Sequence, residues 1–282
     1  MESGKRGARF LYGTCPGRMC LKVLTIPWIS EQMGRILNTR LSGLYIPVFI
    51  RKHHVDMTQF EKKKYRSFND FFMRRLAPGS RKIAEEEESL ISPCDGRLLA
   101  YRISGSCAIK VKNSVYRMAD LLGDGKLAAE YHGGLCLVYR LCPEDYHHYC
   151  HIDDGIIVGR RCIPGILHCV KPIATETVPV YTRNTREYTV IDTEHFGTII
   201  QMEVGALLVG KICNRTDRLC VARGMEKGHF EFGGSTIIIL LRKGMAELRP
   251  DLIDRSRRGT EVMVRMGEKI GIQGKMAGQE VR

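Results

Sequence analysis

The sequence predicts an α+β protein: a basic helical segment over residues 1–76, followed by a β-rich core of mixed or antiparallel sheets over residues 77–282. Three observations predict it. The formal charge of +13 is concentrated at one end, with 17 Lys+Arg against 5 Asp+Glu in residues 1–82, which is +12 there and +1 for the remainder. Ala77-Pro78-Gly79-Ser80 breaks any helix, and the acidic run Glu85 to Glu88 follows it. From about residue 90 the texture changes to short apolar or alternating runs separated by glycine, the pattern of strands and turns. With 44% hydrophobic residues in 282, the chain can bury a large core, and disorder is not the default.

Within the basic segment, Ser30 is placed to cap a helix that puts Ile29, Met33, Ile36 and Leu37 on one face. Asp56 to Leu76 reads as a further helical stretch carrying Phe60, Tyr65, Phe68, Phe71 and Phe72 among charges. The apolar stretches Met19 to Ile29 and Leu41 to Ile50 are broken by Lys22, Pro27 and Pro47, so neither reaches the roughly 18–20 residues of a spanning helix. Apolar residues interleaved with basic ones suit an element lying among lipid headgroups, with packing onto the core as the competing reading.

Strands are expected at Gly96 to Ile103, Leu135 to Leu141, Gly155 to Val158, Val178 to Thr182, Tyr188 to Ile191, Thr198 to Val204, Ala206 to Ile212 and Thr236 to Leu241. No solenoid repeat or low-complexity segment occurs, and Arg265 to Arg282, rich in Gly and Lys, is expected to be loose. The eleven cysteines have no paired rhythm, and no secretory signal pattern precedes them, so reduced thiols in a bacterial-type cytosol are expected.

Three clusters carry chemistry. In His229-Phe230-Glu231-Phe232-Gly233-Gly234-Ser235-Thr236, two glycines free the backbone before a buried strand, so Ser235 sits on a bend at the strand mouth. It is either a solvated turn serine or a hydroxyl pressed against the Gly234 carbonyl. In Cys142-Pro143-Glu144-Asp145-Tyr146-His147-His148-Tyr149-Cys150-His151, a histidine suits the general base that a hydroxyl nucleophile needs. His147 and His151 also have the i, i+4 spacing of a helical metal pair, but no second dense cluster completes a ligand set, so no metal is assigned. In Ser92-Pro93-Cys94-Asp95-Gly96-Arg97, Asp95 is a turn residue bonding its own backbone or a buried carboxylate orienting a histidine.

Taken together, Ser92 to Gly96, Asp145-Tyr146-His147, Asn184-Thr185-Arg186, Gly205 to Gly210 and Phe232 to Thr236, in that order, closely resemble phosphatidylserine decarboxylase proenzymes. Phe10 to Thr14 and Phe68 to Phe72 resemble the same family, so the likeness covers nearly the whole chain. The resemblance implies a catalytic core that cleaves itself between Gly234 and Ser235. A β chain (1–234) and an α chain (235–282) would form a heterodimer, open to higher assembly. Ser235 would become a covalently bound pyruvoyl group that forms a Schiff base with the substrate, so no external cofactor is needed. Asp95, His147 and Ser235 would be the catalytic residues. Phosphatidylserine would be the substrate and phosphatidylethanolamine and CO2 the products, with the basic segment docking peripherally on an anionic membrane at its cytoplasmic face.

The chain departs from the family pattern Asp-Tyr-His-Arg-x-His. His148 stands where arginine is expected and Cys150 where the second histidine is expected, with His151 one place further on. The base is therefore assigned to His147, with His151 as the alternative. Two other readings stand beside this one: a non-catalytic lipid-binding relative whose maturation Cys150 has impaired, and a metal-dependent hydrolase built on residues 147–151. A nucleic-acid role rests on charge alone, without a recognisable motif.

Overall fold

The structure, a computed structural model, describes residues 10–111, 114–170, 174–175, 178–206, 211–232 and 235–274. Its strands in chain order are β1 (Ser89–Ile91), β2 (Gly96–Arg102), β3 (Ala108–Val111), β4 (Ser114–Arg117), β5 (Leu135–Leu141), β6 (His148–Cys150), β7 (Gly155–Ile163), β8 (Arg186–Thr193), β9 (Gly197–Val204), β10 (Ile212–Asn214), β11 (Cys220–Val221), β12 (Glu226–Phe230), β13 (Ser235–Leu241), β14 (Ala246–Leu248), β15 (Val262–Val264) and β16 (Lys269–Gln273). Every described strand pair is antiparallel. The main sheet has eight strands in the order β11-β7-β8-β9-β13-β5-β2-β15, and smaller sheets order β10-β12-β6 and β1-β16-β14.

The run Ile237 to Leu241 is continuous rather than alternating because both faces of β13 are covered. Ile238 and Leu240 join one core with Val138, Ile200, Met202 and Val204. Ile237, Ile239 and Leu241 join another with Leu137, Tyr139, Leu141 and Ile199. A two-faced strand buries every side chain it carries, each large one contributing roughly 1.5–3 kcal/mol.

The basic segment is helical over Cys15–Leu24, Pro27–Leu37 and Ile46–His53. Ser30 is not the cap expected of it. The second helix starts at Pro27, whose ring presets φ for a first helical position, and Ser30 lies buried inside it. Residues 56–76 are not one helix either. Only Met57–Gln59 forms a 3-10 turn and Phe68–Phe72 an α-helix, the latter capped by Ser67 Oγ, which accepts from Asp70 N. The ends of this stretch zip together instead, with Glu61 N donating to Arg75 O and Ala77 N to Gln59 O. Phe68, Phe71 and Phe72 form an aromatic core with Phe49, and Phe232 packs against it.

Two strand expectations are also corrected. Val178 to Thr182 is not a strand: Val180–Arg183 is a short helix begun at Pro179, which has no N–H to give to a ladder. Of Ala206 to Ile212, residues 207–210 lie outside the described residues, and β10 begins only at Ile212.

Between β6, β9, β10 and β12 lies a buried polar knot. Lys227 Nζ meets Glu203 Oε2 at 2.6 Å, with side chains 2% and 0% exposed. Asn214 Nδ2 donates to Glu203 and Glu187, and Tyr149 Oη donates to Asn214 Oδ1. Gly228 permits this approach, since a Cβ there would fall 2.4 Å from Cys213 O and 2.9 Å from Tyr149 Oη. Burial pulls Lys227 down and pushes Glu203 up, and each charge holds the other against that drift. Removing one partner strands a buried charge. Lys227→Met is therefore expected to cost about 3–5 kcal/mol in urea unfolding, while adding Glu203→Leu recovers most of that loss.

Candidate active site

Ser235 opens β13 opposite Leu141, with no exposed surface. Its Oγ has no hydrogen-bond partner among the described residues. An unsatisfied buried hydroxyl costs about 1–3 kcal/mol, so packing alone gives no reason for a serine here. Gly233 and Gly234 lie outside the described residues, and with them the peptide bond expected to break. The chain leading up to them is fixed from the helical side: Asn69 Oδ1 accepts from Phe232 N at 3.1 Å, and Asn69 Nδ2 reaches Glu231 Oε2 and Asn38 Oδ1.

His147 is fully buried just before β6, its ring 4.1 Å from that of Phe72, which in turn meets Phe232 at 5.1 Å. Its Nδ1 lies 2.9 Å from Asp145 O. A carbonyl can only accept, so Nδ1 carries the proton and Nε2 is the basic nitrogen of the ring. The carbonyl is itself held. Arg74 Nη2 donates to Asp145 O at 3.0 Å and to Glu144 O at 2.6 Å, with its guanidinium against the rings of Phe60 and Phe71. Burial lowers Arg74 to about 10, which leaves it cationic at neutral pH. Asp145 Oδ2 is fixed by Cys142 N and Arg97, so the loop before His147 is tied at both ends.

Asp95 lies buried at the turn into β2. Arg81 binds it through two N–H groups, Nε to Oδ1 at 3.1 Å and Nη2 to Oδ2 at 2.5 Å, and Met266 N donates to Oδ1 at 2.8 Å. The same turn meets β6, where Cys150 N donates to Pro93 O at 2.9 Å. Asp95 is thus brought to Cys150, and its described hydrogen bonds go to Arg81 and Met266 rather than to an imidazole. The Cys150 thiol is pushed up to about 12, by its complete burial first and by the Asp95 charge second.

His147 and His151 are not a helical pair. The residues between them form β6, so the two rings lie at opposite ends of an extended run, roughly 13 Å apart along the chain. His147 O accepts from Phe230 N at the end of β12 that leads to Ser235, whereas His151 N donates to Met225 O at the other end. His151 lines a cleft with Ile157, Arg215, Arg218 and Val221. Burial, then Lys227 and Arg160, lowers it to about 3, which makes it a poor base at neutral pH. Sequence reasoning missed Asn69, Arg74 and Arg81, which are distant in the chain from the groups they fix. Phe68-Asn69-Asp70-Phe71-Phe72 was the available signal for the first.

The phosphatidylserine decarboxylase family model matches residues 68–272. The chain is 44% identical over 264 residues to phosphatidylserine decarboxylase proenzyme 2 of Clostridium acetobutylicum, covering 93% of this chain and 90% of the relative. It is 38% identical over 279 residues to the proenzyme of Desulfitobacterium hafniense (97% and 94% covered) and 39% identical over 277 to that of Ruminiclostridium cellulolyticum (95% and 92%).

The buried His151 gives a pH prediction with a definite sign. Its folded pKa lies below its unfolded value near 6.5, so the stability tied to it is present above pH 6.5 and is lost as pH falls toward 3. At pH 5 the unfolded chain is favoured by about 2 kcal/mol through this residue. Denaturant titrations at pH 7 and pH 5 should show the acid-induced loss shrinking by that amount in His151→Gln.

Proposed function

The chain belongs to the phosphatidylserine decarboxylase family, and from that premise we propose that it is a proenzyme that cleaves itself between Gly234 and Ser235 and then decarboxylates phosphatidylserine to phosphatidylethanolamine. The observation that carries this reading is the fully buried Ser235 hydroxyl, without a described partner, at the mouth of β13. A serine so placed fits the precursor of a pyruvoyl group, because its oxygen is spent on no structural bond among the described residues and its burial limits access of bulk water. His147, set with Nε2 basic and packed through Phe72 toward Phe232, is the base we assign to the Ser235 proton. Oγ would then attack the Gly234 carbonyl, turning the Gly234–Ser235 amide into an ester; elimination across Cα–Cβ of Ser235 would release residues 1–234 with Gly234 as a free carboxylate and leave a dehydroalanine, which takes up water and loses ammonia to become the pyruvoyl group. Once formed at Ser235, the pyruvoyl group would supply the electron sink for carbon dioxide loss. His147 supplies the proton to the carbon left behind, and Arg74 keeps its ring in register through Asp145 O. Asp95 serves in this reading as the buried carboxylate that sets the charge at the same turn, with Arg81 holding it.

The helical segment is the membrane-facing part of this reading. Leu41 and Leu44 are 77% and 78% exposed, with Met19, Trp28 and Val48 also bare, among Arg18, Lys22, Arg35, Arg40 and Arg51. No helix among the described residues is long and apolar enough to cross a membrane. Peripheral docking on an anionic surface, at its cytoplasmic face, fits bare apolar side chains ringed by cations.

One observation favours a second reading, a lipid-binding relative that does not mature. A thiol held near 12 cannot take a proton from Ser235 at neutral pH, and Cys150 stands beside Asp95 where the family resemblance expects a histidine.

Mass spectrometry of the purified chain separates the two. Two fragments meeting at Gly234 and Ser235, the smaller with a blocked N-terminus, are expected, with Ser235→Ala remaining one chain of 32.0 kDa without activity. An intact wild-type chain that cleaves once Cys150→His is introduced would establish the second reading. For docking, Leu41→Ser with Leu44→Ser should weaken cosedimentation with phosphatidylserine-containing vesicles by ~3 kcal/mol, roughly a hundredfold, and added salt should weaken it further.

A further inference from the structure

The register of β6 against β12 sets His148 directly opposite His229, with Glu226 further along β12. The two imidazole rings stack at 4.9 Å, and ligand-capable atoms of His148, Glu226 and His229 all lie within 4.8 Å of one another. The arrangement lies outside the machinery assigned above, since none of the three touches Ser235 in the described contacts. We propose that His148, Glu226 and His229 form a binding site for a divalent transition-metal ion of zinc type.

The ligand set is two imidazoles and a carboxylate, the donors that zinc takes when a fourth position is left to water. The surroundings fit it as well. His148 Nε2 lies 3.1 Å from Met73 O, which can only accept, so the Nε2 proton is committed to that carbonyl. Its Nδ1 is thereby the nitrogen turned to Glu226 Oε1, at 3.3 Å. A metal-bound imidazole ordinarily gives its other N–H to a backbone carbonyl in this way, which fixes ring orientation. Tyr146 packs flat on His148 at 4.9 Å and 10°, and His229 stacks on the same ring at 4.9 Å and 27°, so the ring is held in place.

Two features must give way. Zinc ligands at about 2.0–2.1 Å in a tetrahedron sit roughly 3.3 Å from one another, closer than the present spread. His229 and Glu226 are only partly buried, which leaves them free to close that gap onto the rigid His148. Glu226 is also shared with Arg215 at 3.3 Å and Arg75 at 4.0 Å. Both arginines are more than half exposed and can turn to solvent while the carboxylate turns to the cation. Bound there, the ion would tie β6 and β12 to Met73 and the aromatic segment that positions His147.

The test is zinc titration of the full chain by calorimetry, with thermal unfolding and a cobalt spectrum of the same sample. One saturable site per chain is expected, raising the unfolding temperature, with cobalt absorption of nitrogen and oxygen ligation. His229→Gln and Glu226→Gln, chosen because partly buried positions tolerate change, should each remove saturation in the range where the wild type saturates, with far-UV dichroism unchanged. His148→Ala should do the same if it folds. Absence of a saturable site would overturn the proposal, as would binding that survives both variants. A cobalt–thiolate charge-transfer band would also overturn it, since the exposed Cys15, Cys20, Cys162 and Cys220 would then be the ligands.

Discussion

The structure depends on one constraint, the complete burial of β13. It runs between β9 and β5 at the middle of the main sheet, and its alternate residues feed two separate cores. A strand covered on both faces has no solvent into which a polar side chain can turn. Ser235 and Thr236 nevertheless begin it, and neither hydroxyl has a described partner. The same packing that makes these groups costly keeps water from the oxygen that, in the proposed maturation, attacks a neighbouring carbonyl, and it aligns the following chain through the cross-strand pairs Ser235 with Leu141 and Thr236 with Val204. Stability and chemistry therefore meet at one end of one strand, with the apolar pairs beyond it offsetting the two orphaned hydroxyls.

The basic helical segment is tied into that constraint. Asn69 holds Phe232 N, Phe72 lies between His147 and Phe232, and Arg74 holds the carbonyl that orients His147. All three belong to residues 68–74, a single helix and the turn after it. The surface proposed to dock on lipid, which bares Leu41 and Leu44, is thus joined to the loop that carries His147 through the aromatic cluster of Phe49, Phe68, Phe71 and Phe72. Any shift of those helices on binding would reach His147 through a few packed rings.

Much of the β core was legible in the chain because strand burial leaves a mark in composition. Leu135 to Leu141 and Thr236 to Leu241 read as strands, and they are strands, because apolar continuity is local information. What stayed hidden was non-local. Residues 56–76 carry aromatics at spacings that also suit a helix, yet Ser67 caps only five residues and the remainder zips between Phe60 and Leu76. His147 and His151 have the i, i+4 spacing of a helical pair, but the strand between them separates their rings. Strand register, which no periodicity reveals, put His148 across from His229 and Cys150 beside the Asp95 turn.

Cys150 shows why position within a site outweighs residue type. A partly exposed cysteine near cations is a good nucleophile and proton donor, because its thiolate is stabilised. Here the opposite holds on both counts: the side chain is buried without exposed area, and the charge that acts on it is the Asp95 carboxylate. Both effects favour the neutral thiol, so Cys150 behaves as a small apolar group, although Arg81 answers most of the Asp95 charge. A histidine in that place would meet the same carboxylate with the opposite sign and be drawn toward its charged form. In the proposed mechanism the proton chemistry of this turn therefore falls to His147, which has its own carbonyl, its own arginine and its own aromatic wall.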